Sequence, residues 1–185
     1  MVNHWRKSSM VKKNRIILID ADVVSHFITG GEIYMLPSIF PYKMKILDKV
    51  YDELENFKSK KTQIDNLVNQ RILEIMPFPD ENSEIRKEYF WIKKQMFKGD
   101  GESATLAVTR YSHDIVGSSN LRDIKSYCLM HSIDYLTTMD FLCRALETGR
   151  MDLARCNNFI SSVVNSGSKL PVKSMEEYAC REVNL

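Results

Sequence analysis

The period of the hydrophobic positions changes repeatedly along the chain, and each change predicts an element. Ile16-Ile-Leu-Ile19 is a continuous apolar, β-branched run directly after Arg15, the pattern of a strand buried on both faces inside a parallel sheet. It stops abruptly at Asp20-Ala-Asp22. Val23–Thr29 then reads as a helix that Gly30-Gly31 ends. From Lys43 to Lys58 the apolar residues Met44, Leu47, Val50, Tyr51, Leu54 and Phe57 recur at helical spacing, which predicts one helix over 43–58. Thr62–Gln70 continues as a second helix, and Arg71–Pro77 predicts a short strand. Asp80–Phe97 reads as a long, heavily charged helix carrying Phe90 and Trp91. Glu102–Tyr111, rich in small residues, predicts a helix entered through Gly99-Asp100-Gly101. Asp114–Gly117 and Ile133–Leu136 predict strands on either side of a helix over Leu121–His131. Phe141–Glu147 and Leu153–Val164 are the closing helices, before a polar tail from Ser166.

Short apolar strands alternating with helices are the signature of parallel βαβ units, and right-handed crossovers place helices on both faces of the central sheet. The chain has 185 residues, enough for one domain with a real core. With no repeat or low-complexity tract, it divides into a basic leader (1–14), a main domain (15–150), and a C-terminal helix and tail (151–185) packed on the same domain. Only 12 residues are Gly or Pro (7 and 5), which argues against a collagenous, disordered or turn-rich all-β chain. The longest uncharged stretch, Asn157–Ser168, is polar inside, so no membrane span is expected. Met1–Arg15 lacks the apolar segment of a secretory signal. Cys128, Cys143, Cys156 and Cys180 lack zinc-ligand spacing. They read as four reduced thiols of a cytoplasmic protein, packed as small apolar residues. His4, His26, His113 and His131 show no ligand spacing either.

The near-neutral balance, 26 basic against 24 acidic residues, hides clusters: Arg6, Lys7, Lys12, Lys13 and Arg15; Lys58, Lys60 and Lys61; and Arg86, Lys87, Lys93, Lys94 and Lys98. Each cluster alone reads as a solvated face. Together they predict a charge-segregated surface compatible with a phosphate backbone.

In parallel folds the functional crevice lies at the carboxyl ends of the strands. Asp20 and Asp22 follow the first strand; Ser118-Ser119-Asn120 and Asp123 follow the third; Thr137-Thr138-Met139-Asp140 follows the fourth. Asp100 and Glu102 lie at a helix entry, and Glu53 lies between the core positions Val50 and Leu54. Taken singly, Asp20, Asp100, Asn120 and Asp140 fit helix N-caps, and Glu53 fits a solvated flank. Their convergence on one edge is what points to chemistry. Two like charges at 4 Å cost roughly 4 kcal/mol at an effective dielectric near 20, so clustered carboxylates protonate, meet bases or bind a cation. Hard oxygen donors without His or Cys suit Mg²⁺ or Mn²⁺. Such an ion keeps waters, one of which can attack a phosphodiester.

Four segments carry a resemblance to a known family. Ile16-Ile-Leu-Ile-Asp20-Ala-Asp-Val-Val, Lys49-Val-Tyr-Asp-Glu53-Leu, Gly99-Asp100-Gly-Glu102-Ser-Ala-Thr-Leu-Ala107 and Ser118-Ser-Asn120-Leu-Arg-Asp123-Ile stand in the order seen in the PIN-domain nucleases. The likeness runs from about Arg15 to Gly149, and the last segment is similar to the T-x-N-x-x-D-F element of the PIN toxins. The resemblance implies a three-layer α/β/α sandwich with a central, mostly parallel four- to five-stranded sheet. It also implies Mg²⁺ or Mn²⁺ as cofactor and endonucleolytic cleavage, usually of RNA. Its ligand set would be Asp20, Glu53, Asp100 and Asp123, with Glu102 and Asp140 behind them. Asn120 and Ser118 would hydrogen-bond a ligand carboxylate or a metal-bound water. Many relatives of this kind are toxins held by an antitoxin, and homodimers are common among them. The chain departs from the pattern at Ser118-Ser119, where some branches place Asp directly after the strand, and it is longer than a minimal toxin.

The expected function is therefore a cytoplasmic, metal-dependent endoribonuclease of PIN-toxin type. A second reading keeps the fold as a nucleic-acid- or protein-binding module with a degraded site. A phosphoryl-transfer receiver would need a Lys after a late strand, and Tyr135–Asp140 offers none.

Overall fold

The apolar run Ile16–Ile19 forms β1 and occupies the middle of the sheet, with Ile17, Leu18 and Ile19 fully removed from solvent. A strand flanked on both sides and covered on both faces leaves no position for a polar side chain, which accounts for the absence of alternation. The computed structural model describes residues 15–55, 58–96 and 99–185; the expected basic leader over 1–14 lies outside the described residues. β1 pairs in parallel with β2 (Lys43–Leu47) and with β4 (Ile115–Gly117), Ile17 standing opposite both Met44 and Ile115. β3 (Glu74–Met76) adds to β2, and β5 (Tyr135–Leu136) adds to β4. The sheet has five strands, all parallel, in the order β3-β2-β1-β4-β5.

Nine helices among the described residues flank the sheet, giving a three-layer α/β/α sandwich. They are α1 (Ala21–Thr29), α2 (Leu36–Ile39), α3 (Asp48–Glu55), α4 (Lys58–Asn69), α5 (Ser83–Met96), α6 (Asp100–Ser112), α7 (Leu121–Met130), α8 (Thr138–Glu147) and α9 (Leu153–Asn165). Phe27 of α1 stacks at 5.9 Å on Phe141 of α8 and at 4.9 Å on Phe159 of α9, so the C-terminal helix shares the main core.

The single helix expected over 43–58 divides in two. Lys43-Met-Lys-Ile-Leu47 also alternates, with Met44 and Ile46 buried between lysines, and pairing with β1 draws it into the sheet. The helix starts only at Asp48, whose carboxylate accepts the Lys49 N–H at 2.7 Å and the Phe78 N–H at 3.0 Å. That acid ties the β2 end to the segment beyond β3. The short α2 was not expected, since Gly, Pro and Ser mask any periodicity there.

The thiols divide as well. Cys143 on α8 and Cys180 in the tail are disulfide-bonded, with Cα atoms 5.9 Å apart, while Cys128 and Cys156 are free and buried. The expectation of four reduced thiols therefore fails for one pair. A separation of 37 residues gave no spacing signal, and only the return of the tail across α8 brings the two together. Among the described residues no helix is long and apolar enough to cross a membrane.

Candidate functional site

In this strand order the chain leaves β1 towards β2 and leaves β4 towards β5, so connections diverge between two adjacent parallel strands. Such a switch point opens a crevice at the carboxyl ends. The Asp20 N–H donates to Gly117 O at 2.8 Å and the Ser118 N–H to Leu136 O at 2.9 Å, so Asp20, Ser118 and Thr137 leave the sheet side by side. Asp20 is also the N-cap of α1, accepting the Ala21 N–H at 2.8 Å. The capping role and the site role thus coincide.

Asp20 is 6 % exposed, and its pKa lies well above the ordinary carboxylate value. Burial is the largest cause, followed by the negative charges of Asp22, Glu102 and Glu53. The charges of three carboxylates, one each from α1, α3 and α6, therefore act on Asp20 at this crevice. Asp22 accepts the Ser119 N–H at 2.7 Å and the Ser118 hydroxyl at 3.4 Å on one oxygen, and the Val23 N–H at 2.6 Å on the other. Burial pushes its pKa up to about 6, with the Ser119 and Val23 N–H groups opposing. Glu102 is buried in the first turn of α6. Glu53 accepts the Gly101 N–H at 2.8 Å, binding α3 to the start of α6. The two glycines there make the approach possible. A Cβ on Gly101 would lie 2.8 Å from Glu53 Oε2 and 2.9 Å from Val50 Cγ2, and one on Gly99 would lie 2.8 Å from Glu53 Oε1.

Of the expected residues, the structure brings Asp20, Glu53 and Glu102 together and places Ser118 beside them. Asp22 joins them although sequence reasoning gave it no role as a ligand. On a regular helix, residues two apart point away from each other. Asp20, however, has extended backbone angles (φ −86°, ψ 162°) as the cap, so both carboxylates reach the crevice. Asp100 turns away. It accepts from the Tyr89 hydroxyl and is ion-paired with Lys93, which hold its pKa below the ordinary value, Lys93 contributing most. Asp140 is 2 % exposed and closes a capping box with Thr137. Arg181 clamps its two oxygens at 2.7 and 2.8 Å. Asn120 stands at the N-cap of α7 without a side-chain cap bond, its N–H donating to Ser118 Oγ at 3.3 Å. Asp123 lies in the first turn of α7; its side chain is outside the described residues.

A buried polar chain supports the Asp22 side. His26 Nδ1 is 2.9 Å from Thr138 Oγ1, which is 2.6 Å from Ser119 Oγ; the Thr138 N–H donates to that same Ser119 oxygen at 2.9 Å. Burial first, and the Lys60 charge second, lower the His26 pKa to about 4, so the ring is neutral at neutral pH. In the Nε2–H tautomer Nδ1 accepts from the Thr138 hydroxyl, which accepts from the Ser119 hydroxyl; in the Nδ1–H tautomer both donations run the other way. The chain joins α1 to both loops of the crevice and keeps the Ser119 N–H aimed at Asp22. No spacing rule could have singled out His26, because its partner is 112 residues away.

The donors at the crevice are all hard oxygens, the chemistry that Mg²⁺ and Mn²⁺ prefer. As the side chains stand, no group of three or more His, Cys, Asp or Glu among the described residues is arranged to hold a metal ion. Asp22, Glu53 and Glu102 act on Asp20 through space without closing with it on a single point. No family model matches the chain, and no curated protein matches it.

Proposed function

We propose that the chain is a metal-dependent endoribonuclease resembling the PIN-domain enzymes, with Asp20, Asp22, Glu53 and Glu102 as its acidic site. The observation that carries the reading is the gathering of these four acids at the switch point, where burial and mutual repulsion raise the Asp20 pKa. Such a cluster is relieved by a cation or a proton. Mg²⁺ or Mn²⁺, when bound, supplies positive charge beside a scissile phosphate and activates the hydrolytic water. Asp20 and Asp22 would hold the ion, Glu53 and Glu102 would complete the donor set, and Ser118 and Ser119 would fix the orientation of Asp22. The carboxylate missing after β4 at Ser118-Ser119 is then supplied from α1 by Asp22, which takes both loop serines as donors.

Manganese binding by calorimetry and cleavage of single-stranded RNA test the reading together. Activity should depend on Mg²⁺ or Mn²⁺ and stop with EDTA. Asp20→Asn, Asp22→Asn and Glu102→Gln should each lower cleavage by about 100-fold or more. Asp100→Asn, whose carboxylate faces Lys93, should lower it far less. Cleavage that survives EDTA refutes the proposal. A second reading, a nucleic-acid-binding module without catalysis, draws on the engagement of Asp100 by Lys93 and of Asp140 by Arg181. Absence of both cleavage and metal binding would favour it.

A further inference from the structure

Helix α5 buries Ile85, Glu88, Tyr89 and Ile92 and turns an unusual face outwards. Phe90 is 61 % exposed and Trp91 is 48 % exposed, between exposed Lys87 and Lys94. Positions 87, 90, 91 and 94 follow the i, i+3, i+4, i+7 pattern, so cations and aromatics share one stripe. Arg86 adds a charge beside it, and Glu84 is the one exposed acid of this helix. The other, Glu88, points inwards and is bound by Arg110 and the Tyr127 hydroxyl, both at 2.5 Å. The positive field of the stripe is therefore not cancelled from within its own helix.

The stripe borders the acidic crevice. Tyr89 and Lys93 of α5 bind Asp100, the first residue of α6. The next residue, Gly101, donates to Glu53. Lys49, on α3 with Glu53, lies 5.1 Å from the Tyr89 ring centroid and 5.0 Å from that of Phe78, so Lys49 and Lys93 both stand over the ring of Tyr89.

We propose that the α5 face of Lys87, Phe90, Trp91 and Lys94 docks single-stranded nucleic acid and leads it to the acidic crevice. Unpaired bases offer flat faces that stack on Phe and Trp, while flanking lysines take the phosphates. Lys87 and Lys94 are about 10 Å apart along the helix axis, room for the bases on the aromatic pair between them. A duplex hides its base faces, so the aromatics select unpaired strands. A second copy of this chain is a poorer occupant, because a two-fold interface would set Lys87 and Lys94 against their own images. The inference rests on the proposed function for where the strand leads, while docking itself needs neither metal nor cleavage.

The chain has two tryptophans, so Trp5→Phe leaves Trp91 as the single reporter. In EDTA, a uridine 12-mer should quench Trp91 emission, and the matching 12-base-pair RNA duplex should not. By anisotropy of the labelled 12-mer, the double variant Phe90→Ser/Trp91→Ser should bind about 10-fold or more weakly. Lys87→Gln/Lys94→Gln should lower the log–log salt slope by about 1.4, two lost phosphate contacts on a single strand. Circular dichroism and sedimentation velocity accompany each variant. Unquenched Trp91, or unchanged affinity in the folded serine variant, overturns the inference. So does a serine variant that changes from dimer to monomer with its RNA affinity intact, since the face then belongs to a second copy. Metal-dependent cleavage with no α5 effect defeats this inference alone. Trp91 quenching without cleavage defeats the nuclease reading alone.

Discussion

Replacing Asp22 by Asn separates the electrostatic cost of the site from its hydrogen bonding. The Asp22 pKa rises from 3.8 to about 6 on folding, so the folded state retains a proton that the unfolded state has lost. The contribution of Asp22 to stability is complete below pH 3.8 and is lost as pH rises through about 6. A shift of about two units corresponds to about 3 kcal/mol. Asp22 retains some contact with water, and solvent screening reduces this to about 2 kcal/mol. Asn removes that penalty. Its single carbonyl oxygen can serve Ser119 or Val23 but not both, and the lost hydrogen bond costs about 1 kcal/mol. The Asn variant should therefore be less stable than the parent by about 1 kcal/mol near pH 4 and more stable by about 1 kcal/mol near pH 7. Urea denaturation of both proteins at several pH values, with no divalent ion present, measures the difference directly. Adding Mn²⁺ at neutral pH should then stabilise the parent more than the variant, because the ion favours the ionised form of the carboxylate that burial disfavours. A variant destabilised equally at every pH would refute the reasoning, since Asp22 would then be ionised at no cost.

The opposite sign is expected at His26. Its pKa falls from 6.5 to about 4 on folding, so its contribution is present above pH 6.5 and is lost as pH falls towards 4, about 3 kcal/mol in all. His26→Gln, which can still bond Thr138, should flatten that acid loss in urea titrations. Gly101→Ala should destabilise the fold by about 1–3 kcal/mol, because Val50 Cα, at 3.0 Å from the new Cβ, belongs to the backbone and cannot swing aside. Gly99→Ala meets only the end of the Glu53 side chain, so thermal melts should barely change while Mn²⁺ affinity drops. Arg181→Ala should cost about 2–3 kcal/mol by leaving the Asp140 carboxylate buried beside its cap bonds alone. Mn²⁺ affinity should survive that change, because Asp140 is not among the carboxylates named as acting on Asp20.

The alternation of short apolar runs with helices was enough to identify a parallel α/β sandwich, since burial on both faces leaves an imprint within a few residues, as at Ile16–Ile19. The same local reasoning placed Asp20, Ser118 and Thr137 at strand ends on one edge. It failed at Lys43–Leu47, where a five-residue segment satisfies helix and strand periods alike and only pairing with β1 decides between them. Nor could it foresee the partners of Asp100. Whether that carboxylate faces Lys93 or the crevice depends on how α5 packs against α6, which no neighbouring residue dictates.

Local patterning, then, determined the class of fold and the strand ends from which Asp20, Ser118 and Thr137 emerge, while the family resemblance singled out Glu53 and Glu102 as neighbours of Asp20. Tertiary packing alone decided that Asp22 acts on Asp20, that Arg181 occupies Asp140, that His26 bonds Thr138 and that Cys143 meets Cys180. The physical reason is range. Hydrophobic periodicity and capping are written within one or two turns of chain. A carboxylate's partner, and hence its charge state, is set by contacts between segments that a sequence keeps far apart, 41 residues for Asp140 and Arg181 and 97 for Asp22 and Ser119.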